Sequence, residues 1–309
     1  MLYEVSREIY HNLFRQDLNL FISIRFIDLN KKKVDKLVYL VNDKNKASVG
    51  IVFGKKDNEL LCPFSAPFGG FHYRHEKISP VIISDFLTDL KTYCTTNEIK
   101  KIEIVLPPDI YGQSINAKLV NALIRNGFHM LLPELTNIGD LKAFNGEFTD
   151  YKSRKCFRQA EKHSLIFRVA STLEEKSGAY DIILKNRQWL KRPMSMTFKE
   201  VMDISKIWDV DFFFVTNDEN KKLSAAIFYR AHKKIVQAIW WGDVEEGRGF
   251  RAMDFLCNHL WKYYKALEYE YIDLGISTED GIPNDGLLRF KESLDAYTSL
   301  KFRFVLYNH

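Results

Sequence analysis

The chain has 309 residues, 46% hydrophobic and 28% charged, with a formal net charge of +5. That length is natural for two domains of about 150 residues each. The charge excess is too mild for a dedicated nucleic-acid binder, so no DNA partner is expected, and no apolar run reaches the roughly 20 residues that span a bilayer.

In chain order, Tyr3–Phe14 reads as a short helix. Lys36–Asn42, Ala47–Phe53 and Leu60–Phe64 are rich in β-branched and aromatic residues and read as antiparallel strands, the last entering the wide turn Ser65–Phe71. From Ser79 to Asn97 the period becomes helical, with Pro80 in the first turn. Lys101–Leu106 is a strand stopped by Pro107 and Pro108, Ile115–Asn126 a helix closed by Gly127, and Phe128–Leu132 a further strand. Asp150–Lys162 is a basic helix, Leu165–Val169 a strand, and Leu173–Leu190 and Thr197–Trp208 are helical. Three strands follow, Asp211–Thr216, Leu223–Tyr229 and Ile235–Trp241. A glycine turn, Glu246–Arg251, then leads into a long helix reaching Lys265. Tyr271–Leu274 is a strand, Asp285–Leu294 a helix and Lys301–Leu306 a final strand.

Both halves thus read as helix, antiparallel strands, glycine turn, helix, strand, helix, strand. The simplest account is a duplicated α/β (α+β) domain, with mixed, mostly antiparallel sheets flanked by helices. The division falls near Asn145–Thr149, giving domains 1–147 and 148–309. No Pro/Gly/Ser-rich linker lies there, so the halves are expected to pack firmly around a shared cleft.

Sparse cysteines at 62, 94, 156 and 257 suit a reducing compartment, and the charges at Glu4, Arg7, Glu8, Arg15 and Asp17 do not suit a signal peptide. A soluble cytoplasmic protein is expected. Neither the cysteines nor the eight histidines have metal-ligand spacing, so no metal is expected. No GxSxG nucleophile elbow is present.

Three segments carry a family resemblance. Ser153–Lys162 (SRKCFRQAEK) looks like the basic helix of FemAB-type transferases, Phe250–Tyr264 with Tyr271–Gly275 looks like their long helix and next strand, and Gly286–Lys291 (GLLRFK) resembles their GLxRFK segment. Together with the order of elements, the whole chain resembles a tandem of GNAT (acyl-CoA N-acyltransferase) domains, as in FemAB-like and BioF2-like bacterial acetyltransferases. The resemblance implies transfer of an acyl group, such as acetyl, from acyl-CoA to an amine of a small-molecule or glycan and cell-wall type acceptor. Two alternatives stay open: an aminoacyltransferase using charged tRNA, and a non-catalytic binding module.

The donor's diphosphate is expected at Gly247, Arg248, Gly249, Phe250, Arg251 and Ala252, where glycines permit close approach, a helix N-terminus offers free N–H groups and two arginines add charge. The family pattern (Q/R)xxGx(G/A) fits this turn in neither register: starting at Arg248 puts Arg251 at the glycine, and starting at Glu246 puts Arg251 at the last small residue. Asp243, just beyond a strand, and Tyr297, after the last helix, are the catalytic base and acid candidates. Asp273 on the neighbouring strand points either into the cleft or into the next helix. Acceptor contacts are expected from Phe68, Gly69 and Gly70, from Arg154 and Arg158 one helical turn apart, and from Asn284 and Lys291 of the GLxRFK region.

Overall fold

The structure, a computed structural model, describes residues 1–308. The chain forms two compact units. The first holds Met1–Leu135, Glu279–Ile282 and the chain from Ser299 on, and the second holds Thr136–Thr278 and Pro283–Thr298. The sequence places the division at 147 and gives the final strand to the second half. The structure divides the chain at 135 and returns the final strand to the first unit.

The elements run β1 (Tyr3–Glu4), α1 (Arg7–Leu13), α2 (Ile24–Asn30), β2 (Lys36–Val41), β3 (Val49–Lys56), β4 (Glu59–Cys62), β5 (Phe71–Tyr73), α3 (Pro80–Thr96), β6 (Lys101–Val105), α4 (Gln113–Arg125) and β7 (His129–Met130). There follow β8 (Glu134–Asp140), α5 (Tyr151–Ala160), β9 (Ile166–Val169), α6 (Leu173–Trp189), α7 (Phe198–Ser205), β10 (Val210–Thr216), β11 (Lys222–His232) and β12 (Ile235–Asp243). The chain then forms α8 (Glu245–Gly249), α9 (Ala252–Ala266), β13 (Tyr271–Ile276), β14 (Thr278–Glu279), β15 (Ile282–Pro283), α10 (Asp285–Glu292), β16 (Ala296–Lys301) and β17 (Arg303–Tyr307).

The first unit's sheet has the order β1-β2-β3-β4-β6-β17-β7, with β5 also on β3. Its one parallel pair is β4 with β6; the other pairs are antiparallel. Val38, Leu40, Ile51, Phe53, Ile102 and Ile104 of the strands meet Phe86, Leu87 and Leu90 of α3 and Leu119 and Leu123 of α4. The start of the chain is a correction to the expected helix Tyr3–Phe14. Tyr3 and Glu4 pair with Val41 and Leu40, and the helix begins only after Ser6, whose hydroxyl caps it by accepting from the Ile9 N–H.

The second unit's sheet has the order β16-β8-β13-β12-β11-β10-β9. Strands β9 to β12 form antiparallel pairs, β12 and β13 are parallel, and β13 pairs antiparallel with β8. This is the mixed, mostly antiparallel architecture expected. Helix α9 packs Leu256, Leu260, Trp261 and Tyr264 against Val236, Phe228 and Ile272 of the sheet. Trp261 lies so close to β8 that a Cβ on Gly139 would stand 2.9 Å from its ring, which explains a glycine within a buried strand.

Among the described residues no helix is long and apolar enough to cross a membrane. Truncating the fully buried Trp261 removes the ring that Gly139 and Phe148 pack around. Trp261→Ala should lower unfolding stability by about 3–5 kcal/mol, read as a fall in the urea midpoint; an unchanged midpoint would contradict this packing.

Candidate functional site

The second unit contains a gap in its sheet. Strands β12 and β13 pair in register only from Ile235–Tyr271 to Gln237–Asp273, although β12 continues to Asp243 and β13 to Ile276. Two local features separate them. On β12, Ala238 faces Phe228 and Trp240 faces Ile227, so Ile239 is an extra residue, a bulge that bends the strand. On β13, Gly275 takes φ +71°, a left-handed conformation that a side chain would strain. Beyond Gln237 the two strands no longer bond each other in mid-sheet, where backbone N–H and C=O groups otherwise find partners.

The bend in β13 is held from both ends. Asp273, fully buried, accepts the Gly275 N–H at 2.9 Å and the Gln237 side-chain amide at 2.9 Å. Lys291 of α10, 2% exposed, donates to the Gly275 and Ile276 carbonyls at 2.9 and 2.7 Å. The last residue of the GLxRFK segment therefore grips the end of β13. Its neighbour Phe290 stacks edge-on against Trp241 of β12 at 5.6 Å, so α10 touches both diverging strands. The Gln237 carbonyl oxygen Oε1 is buried and has no hydrogen-bond partner.

A second cluster lies at the far end of β12. A Cβ on Gly242 would stand 2.5 Å from Asn186 of α6, so glycine there permits the close approach. Asn186 Nδ2 donates to the Asp243 carbonyl at 2.8 Å and to its Oδ1 at 3.3 Å. Arg248 Nε lies 3.6 Å from the same oxygen, and its guanidinium carbon sits 3.6 Å from the centre of the Trp189 ring. Burial raises the pKa of the Asp243 carboxyl, and Arg248 opposes without cancelling that effect.

The expected cradle Gly247–Ala252 has a different shape. Gly247 to Gly249 lie within the separate turn α8, residue 251 adopts φ 56°, and α9 starts only at Ala252, so the long helix expected from Phe250 is interrupted. A Cβ on Gly247 would stand 2.5 Å from the Leu223 carbonyl, whereas one on Gly249 would meet nothing within 4 Å. The first turn of α9 carries Asp254, and α8 opens with Glu245 and Glu246. Burial raises the Asp254 pKa; Arg251 and its own backbone N–H act against this, and Asp243 adds to it. Carboxylates thus stand where an anion was expected.

The other sequence candidates are dispersed. In the first unit Phe68 is fully buried, its ring 4.9 Å from Phe21 and 4.7 Å from Tyr111, so its side chain belongs to that unit's interior and not to a cleft wall. Gly69 and Gly70 are buried beside it, and Gly70 donates its N–H to Cys62 Sγ at 3.2 Å. In the second unit Arg154 donates to the Phe148 carbonyl at 3.1 Å and to that of Thr149, closing the turn before α5. Arg158 forms an exposed ion pair with Glu147 at 3.2 Å. Asn284 caps α10 by accepting the Leu287 N–H at 3.0 Å. Tyr297 is 45% exposed on β16. No group of His, Cys, Asp or Glu suited to a metal occurs among the described residues. Sequence reasoning passed over Asn186, Trp189, Gln237 and Asp254. Gln237, a polar residue in an otherwise apolar strand, was the one readable signal.

Comparison with solved structures places the fold. The crystal structure of FemX matches with a TM-score of 0.72 at 13% identity, over 100% of this chain and 97% of that one. L-PGS from Bacillus licheniformis matches at 0.62 and 15% identity, over 99% and 93%. A tandem GNAT protein from the clavulanic acid biosynthesis pathway matches at 0.54 and 9% identity, over 99% and 98%. No protein-family model matches the sequence, and no curated protein matches it. The chain therefore has the tandem GNAT fold.

The raised pKa of Asp254 has a consequence for stability. Below the unfolded value of about 3.9 the acid is protonated in both states and costs nothing. As pH rises through and beyond that value the unfolded chain releases its proton first, and stability falls until the folded pKa is passed. Asp254→Asn should remove that loss, so the variant's urea midpoint should gain on the wild type between acid and neutral pH. A constant difference across the range would show that the carboxyl does not carry this penalty.

Proposed function

We propose that the chain is an acyltransferase that moves an acyl group onto an amine of a small-molecule or glycan-type acceptor, with the acyl carbonyl seated where β12 leaves β13. The observation that carries this reading is the gap itself. It is a break in a buried sheet, kept open by a bulge and a left-handed glycine, and it offers backbone groups to an extended donor and an N–H to a developing oxyanion. The amine nitrogen attacks the acyl carbon, and the carrier leaves as a thiolate or alkoxide that takes up a proton. Asp243, whose pKa is raised, is the base candidate; Tyr297, on β16 with β8 and β13 between it and β12, is not assigned the proton-donor role. Lys291 positions the reaction by fixing the end of β13.

Acyl-CoA is the first donor reading, with Arg248 and Arg251 as diphosphate partners beside Gly247–Ala252. The tandem GNAT protein matched above is described in a state without AcCoA. Charged tRNA is the second. It is favoured by Asp254 in the first turn of α9 and the glutamates that open α8, which oppose a diphosphate at that helix start, and by the FemX match over the full chain.

Calorimetric titration with acetyl-CoA, and in parallel with aminoacyl-tRNA, tests both. Saturable acetyl-CoA binding weakened by Arg248→Ala supports the first donor, and binding of charged tRNA alone supports the second. Binding of neither overturns acyl transfer, and binding without turnover on any amine identifies a non-catalytic module. Once a donor is known, Lys291→Met should slow transfer about 100-fold through misplacement of the strand end, with donor affinity little changed.

A further inference from the structure

Helix α6 ends in a turn, Gln188–Pro193, in which every residue is exposed. Its backbone is nonetheless fixed. The N–H groups of Leu190, Lys191 and Arg192 donate to the carbonyls of Asn186, Gln188 and Arg187 at 3.0, 3.0 and 2.9 Å, and Lys191 takes φ 54°. This is a helix closure of the Schellman type. The Arg187 guanidinium then donates to the Pro193 carbonyl at 3.1 and 3.3 Å, tying the turn back onto the helix.

The side chains shown by this turn are unusual. Trp189 is 57% exposed, although tryptophan is highly buried on average. One face of its ring carries the Arg248 guanidinium. Lys191 and Arg192 make no ion pair among the described residues. Cations at a helix C-terminus complement its dipole, but that does not account for a large indole held in solvent beside them.

We propose that this turn is a nucleotide-binding surface, with Trp189 as the stacking face for a base and Lys191, Arg192 and Arg248 as partners for phosphate. An indole stacks any base, because every base has a π-face, and the three cations supply charge-assisted donors to phosphate oxygens. The surface is coupled to the end of β12. Asn186, one helical turn before Trp189, bonds Asp243, and Arg248 reaches from Asp243 to the indole. A nucleotide seated there lies beside the strand that forms the gap. The assignment rests on the donor reading above, with which it shares Arg248, and deepens it by naming the surface on which the nucleotide part of a donor stacks.

The test is binding of probes that carry no acyl group: UDP, ADP and deacylated tRNA, each titrated at low and raised salt. At least one should bind saturably. Trp189→Ala should weaken it about tenfold or more, Trp189→Phe less, and Lys191→Ala with Arg192→Ala should weaken it and flatten its salt dependence. Binding of UDP or ADP identifies a nucleotide-linked small ligand, and binding of tRNA alone identifies a polynucleotide. The proposal is overturned if no probe binds, if Trp189→Ala binds like the wild type, or if the double variant changes neither affinity nor salt response. Trp189→Phe retains a ring, so loss in Trp189→Ala with retention in Trp189→Phe separates lost stacking from lost folding. Failure of acyl transfer would leave these outcomes untouched.

Discussion

The second unit is organised around the four-residue segment Asp273–Ile276. A buried carboxylate holds its N–H side and a buried ammonium holds its carbonyl side. Each charged group is removed from water, which is costly unless hydrogen bonds replace hydration. Both spend their bonds on the same bent backbone, so the direction in which β13 leaves β12 is fixed by electrostatics and not by apolar packing alone. The bulge on β12 does the complementary work from the other side. Together the two devices end the parallel pairing of β12 and β13 at Gln237 and Asp273.

The electrostatics around that gap are uneven. Toward α10 the polar atoms are committed to backbone. Toward α8 and α9 they are acidic and partly dehydrated: Asp243 and Asp254 both have raised pKa values, and each burdens the buried Cys257 thiol, already pushed well above its ordinary value by desolvation. A ligand that brings positive charge, or that keeps its phosphates away from the start of α9, meets less opposition there. The exposed end of α6, with its cations, offers phosphate a different place.

Much of the architecture was legible in the sequence because most elements bury one face. Helices α3, α4, α6 and α9 and strands β2, β3, β6 and β10 to β13 follow hydrophobic spacing. The missed elements are those whose composition speaks for something else. Strand β8 reads ELTNIGD, with the Asn, Gly and Asp of a turn. Yet Asn137 is buried, accepting from Ser277 at 2.5 Å and donating to Thr298 at 3.1 Å, and Gly139 makes room for Trp261. Helix α2 has only seven residues and depends on Ser23 for its cap. The break between α8 and α9 rests on a left-handed conformation at residue 251, which no spacing rule foretells for arginine. At the site, Asp243, Arg248 and Lys291 stood out by position and charge. Gln237 showed only as a polar residue in an apolar strand, and Trp189 and Asn186 did not stand out, because their roles come from neighbours distant in sequence.

Strand β17 lies between β6 and β7 in the first unit's sheet, with Phe304 facing Ile104 on one side and Met130 on the other. The first unit's sheet is thus assembled from segments that precede and follow the second unit, and most of the second unit is, in topological terms, an insertion within it. During synthesis the second unit has nearly all of its sequence before the first can complete its sheet. The first unit is then the last to close, and β6 must wait with an open edge, a risk for mispairing, until β17 is made.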